Sequence, residues 1–139
     1  MVPGGISLFM QKLGTGYTEY FNEKYDRKSV GGLFQGRYKS VRIKSDSQLI
    51  AIFNYVHTNQ IELIEAGWKE LIVKNKKRAL KYLETYRWSS YHDYVGKTTF
   101  PSITQRDFYL DLFHDYNGCR NAVEDWVSFK ADNNIVRAN

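Results

Sequence analysis

One cysteine, Cys119, stands in the whole chain. A lone thiol excludes an internal disulfide framework and any cysteine-rich zinc site, which makes a reducing cytoplasm the expected compartment. Long apolar runs are missing as well: no 18 consecutive residues are apolar, so no membrane span is expected. The opening residues Met1-Val2-Pro3-Gly4-Gly5 lack the charged flank and apolar centre of a secretory leader. Export is not expected either.

The 139 residues are 42% hydrophobic, enough for one domain with a real core, plus at most a small appendage. Much of that apolar content is aromatic. With 11 Tyr, 8 Phe and 3 Trp, tyrosine fills places where an ordinary core uses leucine, and tyrosines both pack and hydrogen-bond. The 20 Lys and Arg against 15 Asp and Glu leave a formal charge of +5. Cations beside phosphates release condensed counterions, so a polyanion is the favoured class of partner.

From Gly5 to Tyr25 the residues Ile6, Phe9, Met10, Leu13, Tyr17, Tyr20 and Phe21 recur at intervals of three and four, the stripe of a helix packed on one face. Gly14 and Gly16 interrupt it at roughly 1 kcal/mol each against alanine. Close packing against a sheet, or a close approach by DNA, accounts for them. Asp26 to Gly32 has the composition of a loop. Leu33 to Lys44 then reads as a strand, with Phe34, Tyr38, Val41 and Ile43 as β-formers and Arg37, Lys39, Arg42 and Lys44 as charges. Arg37 and Lys39 share a face of such a strand, which either tracks a phosphate backbone or forms a solvated edge.

Ser45-Asp46-Ser47-Gln48 has the form of a capping box and opens a helix to about Asn59. Leu49, Ile52, Phe53 and Val56 are its expected buried stripe. At 100° per residue, Tyr55 and Asn59 lie within about 40° of each other, on a flank outside that stripe, and His57 lies on the other flank. An off-stripe tyrosine is either an ordinary boundary residue or a presented functional group. After a turn at Glu65-Ala66-Gly67-Trp68, Lys74 to Trp88 reads as a cationic amphipathic helix, with Ala79, Leu80, Leu83 and Tyr86 inward and Lys74, Lys76, Lys77, Arg78 and Lys81 outward. A solvated face is the default reading of those charges. Thr104-Gln105-Arg106-Asp107 starts a short helix, and Ala122, Val123, Trp126, Val127 and Lys130 mark a last one. The tail from Ala131 is expected to fray.

Five blocks stand in order: Gly4-Gly5-Ile6-Ser7-Leu8-Phe9-Met10-Gln11-Lys12-Leu13, Tyr17-Thr18-Glu19-Tyr20-Phe21-Asn22, Leu33-Phe34-Gln35-Gly36-Arg37-Tyr38-Lys39-Ser40, Tyr55-Val56-His57-Thr58-Asn59 and Tyr86-Arg87-Trp88-Ser89-Ser90-Tyr91. This succession resembles the signatures of the REP-associated tyrosine transposases, members of the HUH single-strand transposase superfamily. The likeness covers about Gly4 to Gly96, and the C-terminal helices loosely. It implies the C-terminal portion of a ferredoxin-like fold: an α+β, helix-rich chain with a basic strand between helices. Residues 1–96 then form the tyrosine-helix half of a catalytic domain and 97–139 a helical extension.

The chemistry implied by the resemblance is nicking and rejoining of single-stranded or hairpin DNA through a 5′-phosphotyrosine intermediate. The family's nucleophile falls on Tyr55. Its accessory metal-site asparagine falls on Asn59, and Gln35, Gly36, Arg37, Lys39, Arg42 and Lys44 become the DNA-holding residues. Gln60 stands where the family has proline, which softens or lengthens the helix end that positions Asn59. A phenol has a pKa near 10 and is a weak nucleophile at neutral pH, so a divalent cation, Mg or Mn, is expected to polarise the scissile phosphate.

In the family that metal sits on a His-hydrophobic-His strand ahead of the Gly-Gly-Ile-Ser block. The three histidines here, His57, His92 and His114, form no such pair, so binding of the metal by this chain alone is not expected. The resemblance therefore implies a partial transposase, mostly helical, with aromatic surface left exposed and a homodimer as one way to cover it. Two readings follow: a DNA-nicking transposase, or a non-catalytic nucleic-acid-binding or oligomerising remnant of one.

Overall fold

Ser45 starts its helix as the sequence predicts. Its hydroxyl accepts from the Gln48 amide at 3.3 Å, while the Gln48 side chain reaches back to the Lys44 amide at 2.8 Å, a capping box displaced by one residue. The computed structural model describes residues 4–28, 33–70 and 73–137. The first three residues and Gly32, where the glycine-rich run begins, lie outside them. Described helices are α1 (Gly5–Lys24), α2 (Asp46–Thr58), α3 (Lys76–Thr85), α4 (Tyr91–Tyr94), α5 (Arg106–Phe113) and α6 (Tyr116–Arg137), with a 3-10 turn over Asn59–Leu63 after α2. None is long and apolar enough to cross a membrane.

Two compact units divide the chain between Arg42 and Ile43. The expected boundary at 96/97 falls inside the second unit, where α6 packs against α2, α3, α4 and α5.

In the first unit, no residue of α1 is buried. The predicted stripe is present, but Ile6, Phe9, Leu13, Tyr17 and Tyr20 are all exposed. What leans on α1 is the segment after it: the Phe34 ring lies 6.0 Å from that of Tyr17, and the Ser7 and Tyr38 hydroxyls are 2.7 Å apart. That segment is not a strand. Among the described residues there is no strand at all, and 33–44 is irregular, with Val41 91% exposed. A strand exists only as a partner in a ladder, and this segment meets a helix through side chains. The expected α+β character thus reduces to a helix-rich fold, and a ferredoxin-like sheet finds no support in it. Gly14 faces the Phe34 ring, with room for a β-carbon at 3.9 Å, and Gly16 faces nothing within 4 Å. No sheet approaches either one.

The second unit holds the core. Phe53 sits among the rings of His57, Tyr94, Tyr109 and Phe113, with centroids 4.3 to 5.5 Å away. Cys119, Val123 and Val127 of α6 are fully buried, the four-residue spacing of a helix seated on its neighbours. Burial pushes the Cys119 thiol up to about 11, which leaves it a packing residue and not a nucleophile. Lys130 ends the buried face. Its ammonium donates to the Trp68 carbonyl at 3.1 Å and lies 4.1 Å from the Trp68 ring centre. Helix α6 continues past Ala131, where fraying is expected, to Arg137.

Between α5 and α6 the chain turns through His114, at φ 72°. Asp115 caps the new helix, its carboxylate accepting from the Gly118 amide at 2.6 Å. A β-carbon on Gly118 would collide with the Phe113 carbonyl, so glycine is what permits so tight a corner.

Helix α2 is rotated from the predicted orientation. Its buried residues are Phe53, Asn54, His57 and Thr58, whereas Ile52 and Val56 of the expected stripe are exposed. Two polar members of that face bond their own helix: Thr58 donates to the Asn54 carbonyl at 2.6 Å, and His57 bonds the Phe53 carbonyl at 2.8 Å, whereas the Asn54 Oδ1 is buried without a hydrogen-bond partner among the described residues. Back-bonding of this kind makes a polar face buriable.

Candidate nucleic-acid interface

The end of α2 presents the two residues singled out by the resemblance. Tyr55 is 56% exposed and stands one helical turn before Asn59, whose amide donates to the Tyr55 carbonyl. The Asn59 Oδ1 is buried and has no hydrogen-bond partner among the described residues. Around Tyr55 the surface is apolar, with Ile52, Val56 and Leu63 exposed.

Lys69, a cation that helical spacing does not single out, is bound to the 3-10 turn that follows α2. Lys69 pairs with Glu62 at 2.8 Å, and its pKa is raised by that Glu62 bond first and by the Tyr55 oxygen among lesser charges. Its ammonium is thus within electrostatic reach of the phenol. It follows directly on the turn at Glu65-Ala66-Gly67-Trp68, 14 residues after Tyr55, so no helical periodicity connects the two.

Below Tyr55, the helix end is fastened to another of the quoted blocks. The Phe53 carbonyl can only accept, so His57 carries its proton on Nδ1 and its Nε2 accepts from the Ser90 hydroxyl at 3.0 Å. Burial outweighs the help of the Phe53 carbonyl and drives the His57 pKa down to about 4, keeping the imidazole neutral at pH 7. Gln60, in place of the family's proline, donates to the His57 carbonyl at 2.7 Å and to Ser89 at 3.3 Å. These bonds, and not a rigid ring, hold the end of α2.

Gln35, Gly36, Arg37, Lys39 and Arg42 belong to the first unit, and Lys44 belongs to the second. All six are exposed. Gly36 has φ 78°, a left-handed conformation that breaks strand alternation. Arg37 and Lys39 therefore do not share a strand face.

An orphan amide oxygen such as that of Asn59 can ligate a cation, but a divalent ion needs several ligands. Among the described residues no three of His, Cys, Asp and Glu converge. His57 has both nitrogens engaged, and His92 bonds the Leu83 carbonyl at 3.1 Å. The described residues by themselves do not assemble a donor set that fits Mg or Mn. No protein-family model matches the chain, nor does any curated protein or solved structure.

Proposed function

We propose that the chain binds single-stranded DNA as a tyrosine-transposase-like protein, with Tyr55 as its nucleophile. The observation that carries this reading is the exposure of Tyr55 on α2, one helical turn before Asn59, whose backbone amide donates to the Tyr55 carbonyl. In the proposed step the phenolic oxygen bonds to phosphorus, its proton passes to solvent, and the phosphorus–O3′ bond breaks. The products are a 5′-phosphotyrosine link and a DNA end with a free 3′-hydroxyl. Lys69 offsets the charge that develops on the attacking oxygen and the phosphate. Gln35, Gly36, Arg37, Lys39, Arg42 and Lys44 hold the backbone of the strand. In this reading the ferredoxin-like sheet forms only with strands supplied by another segment or a second copy, and that partner also brings the metal ligands.

A non-catalytic nucleic-acid-binding remnant is the second reading, favoured by the lack of converging metal donors among the described residues. A hairpin oligonucleotide with a bridging 3′-phosphorothiolate separates the two, because its thiolate leaves readily and relaxes the need for a metal. Incubated with and without manganese, the chain should form a slow-migrating covalent band on a denaturing gel, absent from Tyr55→Phe. Retained binding with no band supports the remnant.

A further inference from the structure

We infer that α3 and the groove beside it form a second binding surface for single-stranded nucleic acid, distinct from the Tyr55 face. Lys74, Lys76, Lys77, Arg78 and Lys81 are all exposed, and the ion pairs Lys69–Glu62 and Arg120–Glu84 include none of them. Placement does not favour them either. Three of these cations sit in the first turn of α3, which has no acidic residue, at the end where the helix dipole already carries positive character. A polyanion relieves that crowding, and release of its counterions drives the association.

The shape fits a strand better than a lipid surface. Lys77, Arg78 and Lys81 share a groove of about 530 Å³ with Ile64, Asn75 and Tyr82. The Tyr82 and Tyr86 rings lie 5.4 Å apart, tilted by 38°, and offer bases aromatic faces beside the cations. A membrane-binding helix must insert its apolar face, whereas Ala79 and Leu83, the apolar face of α3, are buried in the core.

The surface is read from the α3 groove alone, although it shares a ligand class with the function proposed above, so the test is equilibrium binding and not covalent capture. Fluorescence anisotropy of a labelled mixed-sequence single strand is followed from about 50 to 200 mM salt. Lys77→Glu/Arg78→Glu/Lys81→Glu, with circular dichroism matching the parent, should weaken binding at least about tenfold and lower the salt slope by about two. The neutral set Lys77→Gln/Arg78→Gln/Lys81→Gln should lower the slope likewise, and it serves where the charge reversals disturb folding. Tyr82→Leu should weaken binding about fivefold or more with the slope unchanged. Parental affinity and slope in both charge variants overturn the surface while leaving the Tyr55 reading standing. Capture by phosphatidylserine vesicles without oligonucleotide binding overturns it in favour of lipid.

Discussion

The two units of this chain are equally rich in aromatic side chains and differ in what those side chains cover. In the second, Phe53, Tyr91, Tyr94 and Trp68 meet α6 and one another in a closed core. In the first, α1 has an equally regular stripe and buries none of it. An amphipathic pattern states what a helix can bury; it does not supply the neighbour. The second unit has a long central helix on which four others pack, and the first offers α1 only an irregular segment touching it at Ser7, Gly14 and Tyr17.

Phe53→Ala strikes the centre of the second unit, and its cost by chemical denaturation should be about 3–5 kcal/mol, with amide exchange in α1 unchanged. Next in size is acid. His57 has a folded pKa of about 4 against 6.5 unfolded, so the unfolded chain binds the extra proton. Stability is full above pH 6.5 and falls as pH drops toward 4, by roughly 3 kcal/mol. Denaturation midpoints across that range should show the loss, and His57→Phe should reduce it.

Alanine in place of glycine should act with opposite sign in the two units. Gly118→Ala drives a β-carbon into the Phe113 carbonyl and should cost about 1–3 kcal/mol. Gly14→Ala and Gly16→Ala meet open space or ordinary contact, and each should raise the helicity of α1 and its stability by up to about 1 kcal/mol. A stabilised Gly118→Ala, or a weakened Gly16→Ala, breaks the contrast.

Features set within a few residues were legible in advance. The Ser45 cap and the inward Ala79 and Leu83 of α3 follow from local spacing, and so does the backbone bond from Asn59 to Tyr55, although the Asn59 Oδ1 is buried while Tyr55 is exposed. The rotation of α2 was not legible, because hydropathy places Ile52 and Val56 inside and cannot register that Thr58 and His57 neutralise their own polarity on the preceding turn. The strand failed for a different reason: β-formers and alternating charge describe one edge of a pair, and the described residues include no strand to pair with 33–44. At the candidate site the same limit applies. Lys69, Ser89 and Ser90 reach the end of α2 across turns, a proximity that chain spacing does not encode.

Peptide mass spectrometry of the chain after reaction with the 3′-phosphorothiolate hairpin tests most directly whether this exposed phenol is a nucleophile. The peptide carrying Tyr55 should gain a 5′-phosphoryl-linked nucleotide mass, and the other tyrosine peptides should be unchanged. An adduct on any other tyrosine, or DNA recovered intact from a bound complex, contradicts it.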